Sequence, residues 1–200
     1  MPNNPALILA SASPRRKDLL AQIGVVPDEI CPAELDETPH AQELPRPYAC
    51  RLAEEKARAV RSRFATGLIL AADTVVACGR RILPKTEEES EARQCLELMS
   101  GRAHKVMTAI AVMNEDEDLR VRLVETRVKL KRLTPNEIDE YIASGEWHGK
   151  AGGYGVQGRA GAFVAQLSGS YTAVVGLPIY ETRNLLQSFG YVIPMGEGER

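Results

Sequence analysis

Three cations, Arg15, Arg16 and Lys17, follow Ser13-Pro14. Serine is a favoured N-cap and proline suits the first helical position, so a helix starts here. Its first turn carries positive charge where the helix dipole is already positive, which costs about 0.3–1 kcal/mol per residue. Asp18 offsets only part of that. A bound phosphate reverses the sign, because free N–H groups at a helix start accept anions and the arginine fork matches phosphate oxygens. The stretch therefore reads either as an anion site or as a solvated basic turn.

A second chemical signal is Asp73-Thr74, inside the apolar run 68–76. A buried carboxylate needs a cation, a metal or several donors. If the strand ends near Asp73, the acid stands at a sheet edge facing a cleft. Perturbed acids gather at active sites, although a structural ion pair would satisfy the same charge. Lys56, within a charged helix, Lys85 and the pair Asp36-Glu37 read by themselves as solvated charges. Two carboxylates also suffice for Mg²⁺ when substrate phosphates complete its shell.

The third signal is a run of six glycines between Gly149 and Gly161. It is neither a Walker A loop nor a GxGxxG turn after a strand. It is either a flexible surface loop or a backbone that approaches a ligand closely. Within it, Gln157 offers an amide able to read a base edge, and Lys150 offers a phosphate contact.

These residues must be held by ordinary elements. Leu7–Ala10 reads as a buried strand feeding the helix that Gly24 ends. A stretch with five prolines, 26–47, leads to a helix opened by Pro47 and running to about Phe64. Strands are expected at 68–76, near Ile82, at 106–113, at 119–133 and at 163–167, with helices at 87–99 and from Pro178 to Phe189. Thr134-Pro135-Asn136-Glu137 is a capping box opening a helix to Ser144. The sum is an α/β fold with a mixed twisted sheet and flanking helices, forming one domain over 1–194 with a disordered tail at 195–200.

Composition bounds the rest. With 200 residues, 44% apolar and 26% charged, the chain can build a substantial core. A net charge of -2 gives no global basic field, so nucleic acid is not an expected partner. No apolar run approaches the roughly 18 residues of a membrane span, so no membrane association and a cytoplasmic location are expected. The four cysteines and three histidines lack ligand or redox spacing, which makes them structural or surface residues.

Taken in order, Ser11-Ala12-Ser13-Pro14-Arg15-Arg16, Glu55-Lys56-Ala57, Ala72-Asp73-Thr74-Val75, Ser100-Gly101 before Val106-Met107-Thr108, Lys150 to Gly158, Gly169-Ser170-Tyr171 and Val174 to Pro178 resemble the Maf nucleotide pyrophosphatases. The resemblance spans nearly the whole chain. It implies a fold similar to the inosine-triphosphate pyrophosphatases, two lobes around a cleft, a divalent metal (Mg²⁺ or Mn²⁺) and a homodimer. It implies Asp73 as the proton acceptor that activates water, Glu37 with Asp73 at the metal, and Arg16, Lys56 and Lys85 around the phosphates; Ser13 and Lys150 are further candidate substrate contacts read from the residues themselves. In the thymine/uracil subgroup the positions matching Arg15, Thr74 and Gln157 carry these same types; in the 7-methylguanine subgroup they are Trp, Gln and Glu. Hydrolysis of dTTP and UTP to monophosphate and pyrophosphate is therefore expected. A non-catalytic nucleotide sensor in septum formation and the same chemistry on 7-methyl-GTP are the alternatives. The chain departs from the family where Lys85-Thr86 replaces a frequent Lys-Pro, and around Asp36-Glu37.

Overall fold

The computed structural model of the protein describes residues 4–193; the tail expected at 195–200 lies outside them. Among the described residues, nine strands and six helices run in the order β1 (Leu7–Leu9), α1 (Pro14–Gln22), β2 (Glu29–Ile30), α2 (Pro45–Arg61), β3 (Leu68–Cys78), β4 (Arg81–Leu83), β5 (Lys85–Thr86), α3 (Glu89–Met99), β6 (Ala103–Met113), β7 (Leu119–Leu130), α4 (Pro135–Ala143), β8 (Lys150–Ala151), β9 (Val164–Ser168), α5 (Tyr171–Val175) and α6 (Ile179–Ser188). A 3₁₀ turn, Arg159–Phe163, precedes β9.

The main sheet is ordered β2-β1-β3-β6-β7-β9, with β4 also on β3. Its β2-β1-β3 part is parallel and the remainder antiparallel. A separate ribbon pairs β5 with β8. This is the expected mixed sheet with flanking helices.

Alternation along the long central strands creates three cores. One face of β3 and β6 (Ile69, Ala71, Val75, Ala77, Met107, Ala109) packs on Tyr48, Ala49, Leu52, Ala53, Ala57 and Val60 of α2. The opposite face is divided. Its first half (Leu68, Leu70, Ala72, Ile110, Val112) meets Leu19 and Leu20 of α1 and Leu185 and Leu186 of α6. Its second half (Val76, Val106, Val128, Leu130) meets Leu96 and Met99 of α3 and Ile138, Tyr141 and Ile142 of α4. Each fully buried aliphatic side chain contributes about 1.5–3 kcal/mol. The two half-cores lie side by side on that face of the sheet.

Several boundaries differ from expectation. Helix α2 starts at Pro45, because φ of proline suits any position of the first turn. It ends at Arg61, whose guanidinium donates to the carbonyls of Phe64, Thr66 and Gly67. The short elements β2, β5 and α5 carry too little periodicity to be read from sequence. The Thr134 box is formed as expected, its hydroxyl accepting from Glu137 N. Ser13 is at the N-cap position, but its side chain makes no capping bond, so the start of α1 is left uncapped.

Candidate active site

Strand β3 does not end at Asp73; it continues five residues further, to Cys78. The cleft arises differently. On one edge of β3, β1 pairs with Leu68–Leu70 and β4 pairs with Val76–Cys78. Between them, residues 71–75 have no strand on that side, while β6 pairs with the other edge throughout. Asp73 and Thr74 therefore stand at an opening in the middle of a sheet.

Alternation then sends their side chains to opposite faces. Asp73 points toward α2 and is 2% exposed. Lys56, one helical face away from solvent, donates to its Oδ1 at 2.6 Å and lies 2.7 Å from Glu37 Oε1. Lys85 donates to the other oxygen of Glu37. Tyr48 Oη donates to the Glu37 carbonyl at 2.6 Å, which holds the proline-rich segment over the site. Burial works to raise the Glu37 carboxyl, but hydrogen bonds from Lys56 and Lys85 outweigh it and hold the group below its ordinary value. Two carboxylates and two ammonium groups thus alternate, which makes burial of the charges tolerable.

On the opposite face, Arg16 of α1 donates from Nε to the Gly176 carbonyl at 2.9 Å and from Nη1 to Ser11 Oγ at 2.9 Å. Nη2 reaches Thr74 Oγ1 at 3.5 Å. Burial lowers the Arg16 pKa while Asp73 pulls it back up; a guanidinium remains cationic under either influence. Thr74 contacts Thr108 across the β3–β6 pair at 3.1 Å, and Thr108 donates to the Ala173 carbonyl at 2.7 Å.

A cleft of ≈450 Å³ joins these groups. Ser13, Arg15, Arg16, Glu37, Lys56, Thr74, Lys85, Lys150 and Gln157 all line it. Asp73 opens into an adjoining hollow that shares Glu37, Thr74, Lys85 and Ala151 as its wall. All ten sequence-derived candidates are therefore brought to one region. Burial lowers the Lys150 ammonium, and the neighbouring charge of Arg15 lowers it further against Glu146. Two cations so close favour an anion between them.

The glycine run is no flexible surface loop. Residues 152–156 are buried, and the ribbon β5–β8 ties the loop to Lys85. Gly152 N donates to Pro84 O and Gly155 N to Tyr141 Oη. Gly153 has φ +69°, and a Cβ there would lie 3.1 Å from Ala92 Cα, so glycine is required by both torsion and space. Thr86 donates its hydroxyl to Trp147 O at 2.9 Å and so closes the same loop.

Sequence reading missed several contributors. Val76, Val106, Tyr154 and Val174 form an apolar floor to the cleft. His104 is buried against Tyr154, Nε2 to Oη 2.7 Å. Thr108 had a signal: a hydroxyl inside an apolar strand, like Asp73 in its own. Among the described residues no cluster of three or more His, Cys, Asp or Glu side chains could hold a metal ion. Glu37 and Asp73 supply two carboxylates, a donor set that fits a hard cation completed by substrate oxygens. No helix among the described residues is long and apolar enough to cross a membrane.

The Maf-like protein family matches residues 6–189. The chain belongs to the Maf family. Among its Maf relatives, a dTTP/UTP pyrophosphatase of Caulobacter vibrioides is 60% identical over 191 residues, covering 96% of this chain and 99% of the relative. One of Maricaulis maris, with the same name, is 61% identical over 196 residues, covering 97% and 94%. A HAM1 protein from Coxiella burnetii has a similar structure, with TM-score 0.51, 14% identity, and 92% of this chain and 99% of that one covered. That likeness bears out the α/β fold expected above, a mixed sheet with flanking helices.

Proposed function

We infer that this Maf protein is a hydrolase that splits dTTP and UTP into the monophosphate and pyrophosphate. One observation carries the reading. Arg16, Lys56, Lys85, Glu37 and Asp73 converge at one part of a nucleotide-sized cleft whose other wall bears Gln157 and an apolar floor. The names of the relatives at 60% and 61% identity agree with it.

The chemistry follows from charge. Water attacks the α-phosphorus, the bond to the bridging oxygen of the β-phosphate breaks, and pyrophosphate leaves. Asp73 accepts the water's proton; Lys56 on Oδ1 holds the carboxylate in place. Lys85, Arg16 and Arg15 neutralise the phosphate oxygens, and Lys150 adds a contact from the opposite wall. Ser13 and the uncapped start of α1 offer further donors. A divalent cation, Mg²⁺ or Mn²⁺, bound by Glu37 and Asp73 would supply neutralisation of charge on the leaving pyrophosphate. The base packs on Val76, Val106 and Tyr154, with Gln157 on its edge. The nucleotide is the partner proposed, together with a second copy of the chain.

The deciding experiment incubates the pure protein with each nucleoside triphosphate and either cation, then resolves the products. Monophosphate with pyrophosphate from dTTP and UTP is the expected result. Release of orthophosphate, or turnover confined to 7-methyl-GTP, would overturn the assignment. Tight binding of UTP without turnover would instead support a nucleotide sensor.

A further inference from the structure

Uracil and thymine differ from cytosine in hydrogen-bond polarity at two adjacent ring positions. The first two present an acceptor at O4 and a donor at N3–H, whereas cytosine presents a donor at N4 and an acceptor at N3. Gln157 cannot separate them alone. Its side chain is exposed, and a half-turn about its last torsion exchanges amide oxygen and nitrogen. An amide free to turn serves either ring. Selection needs a second group whose hydrogen cannot turn.

Thr74 is such a group. The buried Thr108 hydroxyl has one hydrogen, and the Ala173 carbonyl at 2.7 Å takes it, being an atom that only accepts. The 3.1 Å contact between the two threonines must then be donated by Thr74. Arg16 Nη2, at 3.5 Å, approaches the same oxygen as a donor. Thr74 Oγ1 has no hydrogen left for a ligand; it offers only lone pairs. It stands beside Val76 on the apolar floor that a base would cover.

We propose that Thr108, through the one-way chain Thr74 to Thr108 to Ala173, makes Thr74 an obligate acceptor, so that the cleft selects a ring bearing N3–H. Thr74 meets the ring, and Thr108 is a positioning residue acting through it. The inference rests on the pyrophosphatase reading and names how that same site chooses its base. A sugar hydroxyl is also a donor, so the test must separate sugar from ring.

The experiment measures kcat/KM for UTP and CTP in the unaltered protein, Thr108→Val and Thr108→Ser, with dTTP and its 2′,3′-dideoxy counterpart as the sugar arm. Products are resolved as above, so a failure to release pyrophosphate from any substrate sinks the underlying reading separately. The unaltered protein should prefer UTP over CTP by ~100-fold, the upper scale of the penalty for leaving one buried polar group unsatisfied. In Thr108→Val the Thr74 hydrogen is free to turn into the cleft, and the UTP:CTP ratio should fall about tenfold, chiefly by a gain in CTP use. Thr108→Ser keeps the hydroxyl and should restore the ratio. The dTTP to dideoxy ratio should stay constant across all three. An unchanged UTP:CTP ratio in folded Thr108→Val, a change confined to the sugar arm, or equal use of UTP and CTP by the unaltered protein would each overturn the proposal. If Thr108→Val does not fold, Thr74→Val replaces it. Losing the acceptor should then lower UTP use about tenfold and spare CTP; equal losses for both overturn the proposal.

Discussion

The two faces of β3 solve the placement of polar groups in different ways. Toward α2, Asp73, Lys56, Glu37 and Lys85 form an alternating set of charges that neutralise one another. On the opposite face, Thr74 and Thr108 are uncharged hydroxyls whose hydrogens are committed along a chain to a carbonyl. The ionic face can exchange a proton and bind phosphate, but its contacts depend on every member being present. The two hydroxyls themselves carry no charge, although the Arg16 guanidinium lies beside them, and their information lies in hydrogen direction. Under the function proposed, one residue of alternation in a single strand separates the proton acceptor Asp73 from the base-reading hydroxyl of Thr74.

The sharpest way to break this contrast is Asp73→Asn. It should lower UTP turnover by about 10³-fold while the fold persists, because Glu37 still accompanies Lys56. Pyrophosphate release and circular dichroism check both halves, and full activity would remove Asp73 from the reaction. Lys56→Met comes next. It leaves two carboxylates facing each other in a largely buried place, and should cost about 3 kcal/mol in urea unfolding at pH 7. A loss no larger than that of an exposed lysine would show the charges to be well solvated.

The recognition face should respond to pH through His104, behind Tyr154. Burial pushes its pKa from the ordinary 6.5 down to about 4. Its folded value lies below the unfolded one, so its stabilising share is full above 6.5 and lost as pH falls toward 4. Between pH 7 and 5 the unaltered protein should lose about 2 kcal/mol more than His104→Gln. Equal slopes for the two proteins would mean that His104 is solvated. The smallest effect is expected from Gln157→Glu, an exposed change at the base edge. It should raise KM for UTP about tenfold with kcat nearly constant. An unaltered KM would take Gln157 out of base reading.

Much of the site was legible in the chain itself. A carboxylate in an apolar strand demands a counter-charge, and Lys56 supplies it. Uncompensated cations at a helix start demand an anion, and Arg15 and Arg16 line the cleft. Less visible was the glycine run, where residues 152–156 are buried although the composition resembles a surface loop. Its burial follows from the β5–β8 ribbon and the Tyr141 bond, both contacts between distant segments. Lys56 itself looked like an ordinary helix charge, since nothing in its local spacing distinguishes a buried lysine from a solvated one.

The sequence by itself determined the element types, the alternation of β3 and the residue types that had to meet an anion, because these depend on neighbours within a few residues. The tertiary structure decided where the sheet opens, since the parting of β1 and β4 along one edge of β3 is a matter of register between segments far apart in the chain. It also decided which way the Thr74 hydrogen points. That direction depends on a carbonyl 99 residues downstream, at Ala173, and no local pattern encodes a bond of such span.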